Sequence, residues 1–418
     1  MNSRERLLAA LNHRQPDRVP VDFGGTAVTG IHVAALTRLR HAVLGDHPWR
    51  VKVIEPYQML GEVDPELATA LGIDITGFIT RKTMFGFENT DWKPFKLFDG
   101  TEVQVPENFI TTTEPNGDLL IYPEGDRSAS PSGRMPQGYY FFDSIIRQPP
   151  VDDDKLNVAD NTEEFGLLSA EDLAWYQKRI NELDDGQRGI ILTMPGVAFG
   201  DVALVPAPWM KNPKGIRDIE EWYVSTIARK DYVMEIFEKQ CELGLKNLET
   251  LMKLLGDRVQ AVFITGTDFG TQRGLFIGVP AYRELYKPFH QRVNKLVHEK
   301  SKWKTFIHSC GGVRELLPEF IDAGFDILNP VQCSAVGMDA REIKNEFGKY
   351  LTFWGGGANT QQTLQFGTPD EVYRECRERI EIFGAGGGFI FNTVHNVQAT
   401  TPTENMLAMF RAIKDSCL

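Results

Sequence analysis

His308 and Cys310, in the run Phe306-Ile307-His308-Ser309-Cys310-Gly311, carry the sharpest chemical signal in this sequence of 418 residues. Two residues apart on an extended segment, their side chains point to the same side of the chain and can reach one ion. Imidazole and thiolate are donors that zinc accepts, and three such ligands with an open fourth position make a catalytic site. His395 and Cys333 are both available as the third donor. The pair also has a structural reading, a strand-end histidine bonded to backbone beside a small buried thiol.

Elements must bring these residues together. Short β-branched or aromatic runs alternate with helical patterns along most of the chain. Strands are expected at 19–23, 73–79, 189–193, 259–265, 304–308, 326–329, 351–354 and 388–392. Helices are expected at 32–43, 219–255, 281–300, 313–323, 339–347, 369–383 and 402–414. Thr368-Pro369 and Thr401-Pro402 each place a hydroxyl cap before a proline at the first helical position. Eight alternating βα units predict the α/β class and a closed (β/α)8 TIM barrel, whose active site lies at the C-terminal ends of its strands. Residues 81–152 break the rhythm with aromatics, prolines and turn pairs. They predict a β-rich insertion after the second strand, with hairpins about Asp99-Gly100 and Asn116-Gly117. As a βα-loop insertion it is expected either to cap the barrel mouth or to be a surface elaboration, and Trp92, Phe95, Tyr139, Tyr140 and Phe141 could wall a pocket.

The strand ends then supply further candidates. Asp268 can orient a substrate or fix a histidine tautomer, or else cap a turn. Gln332 and Asn359 are the other candidate catalytic groups, and Gly355 and Gly356 are candidates for close backbone approach to a cofactor. Arg81 and Lys82 can receive a substrate anion or simply be solvated charge. The formal net charge of -12 disfavours nucleic acid and anionic membranes as partners. No apolar run is long enough to span a bilayer or to serve as a signal peptide. The five cysteines (Cys241, Cys310, Cys333, Cys376, Cys417) are scattered, which suggests a reducing cytoplasm.

The Arg4–Asn12 segment followed by Gln15-Pro16-Asp17-Arg18-Val19-Pro20-Val21 resembles the start of the uroporphyrinogen decarboxylase superfamily. Phe306–Gly311 resembles that superfamily's zinc-dependent methyltransferase branch, where a His-x-Cys-Gly run gives two zinc ligands. In that branch a later cysteine, before a Thr-Pro helix start, gives the third. Here the corresponding place, six residues before Thr401, holds His395. Phe391-Asn392-Thr393-Val394-His395 also resembles a segment of true decarboxylases. Those carry an Arg-Gln-Ala-Gly-Arg clamp for the porphyrinogen's carboxylates, and this chain has Phe23-Gly24-Gly25-Thr26-Ala27 there. The resemblance thus implies one TIM-barrel domain over 1–418 with zinc on His308, Cys310 and His395. It implies methyl transfer between a corrinoid (cobalamin) and a small methylated substrate, such as a methyl ether, or a thiol. No Asp-x-His-x-x-Gly run is present, so the corrinoid is expected on a separate partner protein. His395 in place of cysteine would leave the zinc one negative charge poorer and a stronger Lewis acid. The alternatives are a metal-independent decarboxylase or lyase, and a barrel that only binds a ligand.

Overall fold

Seven of the β-branched and aromatic runs form one parallel sheet in the computed structural model, which describes residues 1–46, 48 and 50–416. The strands are β1 (Ile75–Phe78), β2 (Gly189–Thr193), β3 (Ala261–Thr265), β4 (Lys304–His308), β5 (Ile327–Asn329), β6 (Thr352–Trp354) and β7 (Phe389–Ile390). They lie side by side in chain order, the arrangement that right-handed βα crossovers produce. Alternate residues serve two cores. Ile75, Ile191, Ala261, Phe306, Ile327, Trp354 and Ile390 point inward and pack on Leu7, Ala10 and Leu11 of the helix Ser3–Leu11. Their neighbours, such as Ile190, Leu192, Val262, Ile307 and Leu328, pack outward with the covering helices. The N-terminal helix thereby plugs the bottom of the barrel.

The predicted first strand is present only as a stave. Val21 bridges Phe391 in parallel, with Phe391 N–H donating to Pro20 O and Asp22 N–H to Phe391 O. On its other side Asp74 N–H donates to Val21 O. Pro20 has no N–H to give, so a regular ladder cannot run through 19–23. Side chains complete the closure. The Asp74 carboxylate, fully buried at the foot of β1, accepts from Val21 N–H at 2.9 Å, Arg6 at 2.8 Å and Arg18 at 2.7 and 2.9 Å.

Most predicted helices form within a residue or two of expectation. The 219–255 region is two helices, Ile219–Ala228 and Lys230–Leu255. Thr368 caps Pro369–Gly384 with a capping box through Glu371. Thr401 does not cap: the last helix runs Thr403–Lys414 with Pro402 at the cap and no side-chain bond. Pro65–Leu71 and Ala170–Leu183 are helices the pattern did not announce. The second covers β1 after the insertion.

Both hairpins of the insertion are present. Trp92–Lys96 pairs with Glu102–Pro106, and Thr111–Thr113, Leu119–Ile121, Gly133–Met135 and Asp143–Ser144 make a four-stranded antiparallel sheet. Phe85, Phe87, Phe95, Phe109 and Phe142 pack ring against ring as its own core. Among the described residues no helix is long and apolar enough to cross a membrane. Cys417 lies outside the described residues, and the other four cysteines are free thiols.

Removing one member of a buried charge network leaves the remaining charges uncompensated. Asp74→Ala is therefore expected to cost about 3 kcal/mol of stability, by taking the carboxylate from Arg18 and freeing the first stave, while Arg6 keeps Asp17. Urea unfolding checks it: a midpoint unchanged from wild type would show that the stave is held by its backbone bonds alone.

Candidate functional site

The C-terminal end of β4 delivers His308, and the turn after it delivers Cys310. The turn is tight because a loop crosses it. Gly311 has φ +90°, and a Cβ there would lie 2.6 Å from the Gly270 carbonyl carbon. Two side chains pin the turn. Asp268 Oδ1 accepts from Cys310 N–H at 2.7 Å, and Gln332 Oε1 accepts from Gly311 N–H at 2.8 Å. His395 follows β7, with its carbonyl accepting from Thr393 Oγ1–H. One ligand atom from each of His308, Cys310 and His395 lies within 4.8 Å of the others.

The tautomer of His308 follows from its neighbour. Asn329 Nδ2–H, at the end of β5, donates to Trp354 O at 2.5 Å, so Asn329 Oδ1 must be the atom 2.6 Å from His308 Nδ1. That oxygen can only accept, which puts the imidazole proton on Nδ1. Nε2 keeps its lone pair, and it sits 3.5 Å from Cys310 Sγ. Burial, reinforced by the repulsion of Asp268, pushes the Cys310 thiol well up. Burial, with His308 close by, pushes His395 down to about 3, so its ring is neutral. A metal would displace the proton of the Cys310 thiol, while the neutral His395 ring would bind without losing one.

The donor set fits zinc. In a tetrahedral site with Zn–N near 2.05 Å and Zn–S near 2.3 Å, nitrogen and sulfur stand roughly 3.5 Å apart. That is the His308–Cys310 separation.

Other predicted residues fall differently. Asp268 is at the site, 3.8 Å from His308 Nε2, and no helix starts there for it to cap. Gln332 is buried and also bonds Gln361 at 3.2 Å, so it holds the turn rather than meeting a ligand. Asn359 is away from the cavity: its Oδ1 accepts from Gln361 N–H, and its own N–H goes to Glu375. Gly355 and Gly356 serve packing. A Cβ at Gly355 would lie 2.8 Å from Thr393 O and one at Gly356 would collide with Val331 O, so it is protein backbone that approaches them. The Cys333 thiol turns to Val331 O at 3.6 Å and is pushed up to about 11 by burial. It stands outside the donor cluster.

A cavity of about 1030 Å³ opens above His308, His395 and Asp268, and insertion residues such as Tyr140 and Phe141 line it too. Trp92 and Phe95 do not line it. Lys52 covers Trp92, and Phe95 packs on Phe109. Tyr139 is solvent-exposed. Arg81 and Lys82 do line it, but Arg81 is paired with Asp172 and Glu88 and Lys82 with Glu124. Three side chains of the candidate site escaped the sequence reading. Asn329 ended a predicted strand and could have been tested as a histidine partner. Asp201 sits on an irregular segment, and Glu55 ends a three-residue strand, Val53–Glu55, too short to show a period. Burial, then the nearby Asp268 charge, raises Asp201 to about 6, and burial raises Glu55 to about 7.

If Asn329 sets the tautomer, Asn329→Leu should lower zinc affinity by roughly 10–100-fold. Asn329→Asp, which restores an acceptor to Nδ1–H, should recover part of the loss. Competition with a chelating dye measures both, and equal losses in the two variants would rule the tautomer argument out.

Comparison with known proteins extends the resemblance. The uroporphyrinogen decarboxylase (URO-D) family profile matches residues 207–416, the half that carries Asp268, His308, Cys310, Asn329 and His395. The uroporphyrinogen decarboxylase of Geotalea daltonii is 24% identical over 230 residues, 54% of this chain and 62% of that protein, so the chain spans less than two thirds of that relative's length. A solved methyltransferase from Methanosarcina mazei superposes with a TM-score of 0.55 over 99% of both chains at 16% identity, a likeness of fold. With its matched half holding β3 to β7 and every donor of the cluster, the chain belongs to the uroporphyrinogen decarboxylase (URO-D) family.

Proposed function

We propose that this protein is a zinc-dependent methyltransferase. It would move a methyl group between a small methylated substrate, or a thiol, and a corrinoid carried by a separate protein. The observation that carries this reading is the His308, Cys310 and His395 donor cluster, facing a cavity large enough for a small molecule. Zinc there would supply Lewis acidity to the heteroatom that bears or receives the methyl group.

The chain's own residues do the rest. Asn329 keeps a lone pair on His308 Nε2. Asp268 and Gln332 fix the backbone around Cys310 and so the direction of its sulfur. The apolar walls keep water from a transferring methyl group. In this reading the insertion caps the mouth. The Tyr140 carbonyl accepts from His32 Nε2–H at 2.7 Å, which ties the cap to the barrel.

Porphyrinogen decarboxylation finds no support in the cavity's charges. Its three cationic side chains, Arg81, Lys82 and Arg217, are each paired with a carboxylate, Arg217 with Glu164 at 2.7 Å. A substrate with several carboxylates would meet no free cation among the described lining residues, and its charge would go unmatched.

Purified protein should accordingly hold about one zinc per chain. Cys310→Ala should lose it while keeping its circular dichroism, and zinc uptake near pH 7 should release about one proton, from the thiol. Wild type that stays folded, metal-free and indifferent to added zinc would end this reading. Uroporphyrinogen III should be neither bound nor decarboxylated, and turnover at an ordinary enzymatic rate of roughly 1 s⁻¹ or above would restore the decarboxylase alternative.

A further inference from the structure

The charge inventory of the cavity points to the kind of molecule it takes, and the geometry assigns a cationic substrate, a small organic ammonium or sulfonium compound, whose positive group rests on Glu55. This rests on the methyl-transfer reading only in placing the substrate in the same cavity. Seven carboxylates line it against three lysines and arginines, and those three are already neutralised by Glu124, Glu164 and Asp172. Of the carboxylates left over, Asp143 is solvated at the rim. Glu55 and Asp201 are half-buried, and Asp268 lies beside the donor cluster with part of its side chain exposed. None of these three has a lysine or arginine at ion-pair distance among the described residues, and Asp268 has only His308, at 3.8 Å.

Glu55 is the best placed of them. Its two oxygens accept from Tyr57 N–H at 3.0 Å and Gln58 N–H at 2.8 Å, which fixes the carboxylate without neutralising it. Three aromatic residues, Tyr57, Tyr140 and Phe141, line the same cavity, Tyr57 two residues from Glu55. Phe142 N–H donates to Tyr57 O, so the barrel segment and the insertion meet there as one wall. A carboxylate and aromatic rings lining one cavity are the groups that recognise ammonium and sulfonium compounds, by charge and by cation–π attraction. The wall also adjoins the donor cluster. Gln58 Oε1 accepts from Asn396 Nδ2–H at 2.8 Å, and Asn396 follows His395 directly. A bound cation would supply the countercharge that the half-buried Glu55 carboxylate lacks, so part of the cost of leaving it unpaired would be recovered on binding.

The test is calorimetric titration of the full chain at pH 8 with three probes: choline, its neutral isostere with carbon in place of nitrogen, and the anion pivalate. Choline should bind about tenfold more tightly than the isostere, and pivalate not measurably. Glu55→Gln removes the charge but keeps an acceptor oxygen for only one of the two N–H groups, so its melting temperature should fall slightly while choline affinity drops about tenfold and the isostere is unchanged. Tyr140→Leu should weaken choline by roughly threefold. The proposal falls if the isostere matches choline, if pivalate is preferred, if no probe binds, or if neither variant alters choline affinity. Zinc content is measured on every sample. Wild type that lacks zinc but still prefers choline would reject the metal reading alone, and a zinc-loaded protein indifferent to charge would reject this one alone.

Discussion

Closing the barrel across 19–23 is the constraint on which the other features depend. A sheet strand would normally close it with a ladder, but Pro20 interrupts the donors, and only Val21 and its neighbours bridge. The gap is closed by side chains. At the bottom Asp74 gathers Val21 N–H and two arginines. At the top the buried Asp22 carboxylate accepts from Gly25 N–H and Trp354 Nε1–H, both at 2.8 Å, while its carbonyl accepts from Asn392 Nδ2–H. Burial holds Asp22 up near 6, a sign that this end is satisfied by neutral donors rather than by a cation.

The same bonds reach the donor cluster. Trp354 is held by Asp22 through its indole, and its carbonyl holds Asn329, whose oxygen fixes His308. Closure of the first stave and the lone pair on His308 Nε2 are thus two ends of one hydrogen-bonded chain across the barrel's interior. A binding histidine supported this way sits on strands rather than on a free loop, which limits its movement and preorganises the site. The glycine after Cys310 has a similar role. Only a residue without Cβ lets the 270–271 backbone cross the turn, and that crossing aims the sulfur.

How much of this the sequence could show depends on the range of the interaction. Strands buried on both faces read as short apolar runs, and β2 and β4 fall on the predicted residues because their ends are marked by glycine, proline or a polar turn. The His-x-Cys spacing is local and stood out for the same reason. The placement of Asn359 and Gly355–Gly356 depends on long-range facts: which helix Glu375 sits on, and whose backbone crosses the glycines. Arg81 and Lys82 looked like free cations because their partners, Asp172 and Glu124, lie far along the chain. The helix Ala170–Leu183 was hidden by its composition. Only Tyr176 and Ile180 are buried, so its apolar stripe is too thin to show a period.

One histidine joins the barrel's own structure to the shape of its cavity. His32 Nδ1 accepts from Ala34 N–H at the start of the helix Val33–Leu44, so its proton lies on Nε2 and is given to Tyr140 O. The two bonds require opposite roles of the two nitrogens, and only the neutral ring can fill both. Burial lowers its pKa to about 4 from an ordinary 6.5. The unfolded chain therefore takes up a proton there before the folded one does. The contribution of His32 is complete above about 6.5 and is lost as pH falls through 4. Across the neutral range the helix cap and the tie to the insertion hold together. The aromatic wall at Tyr140 and Phe141 is then a fixed surface, which a ligand meets without first having to order it.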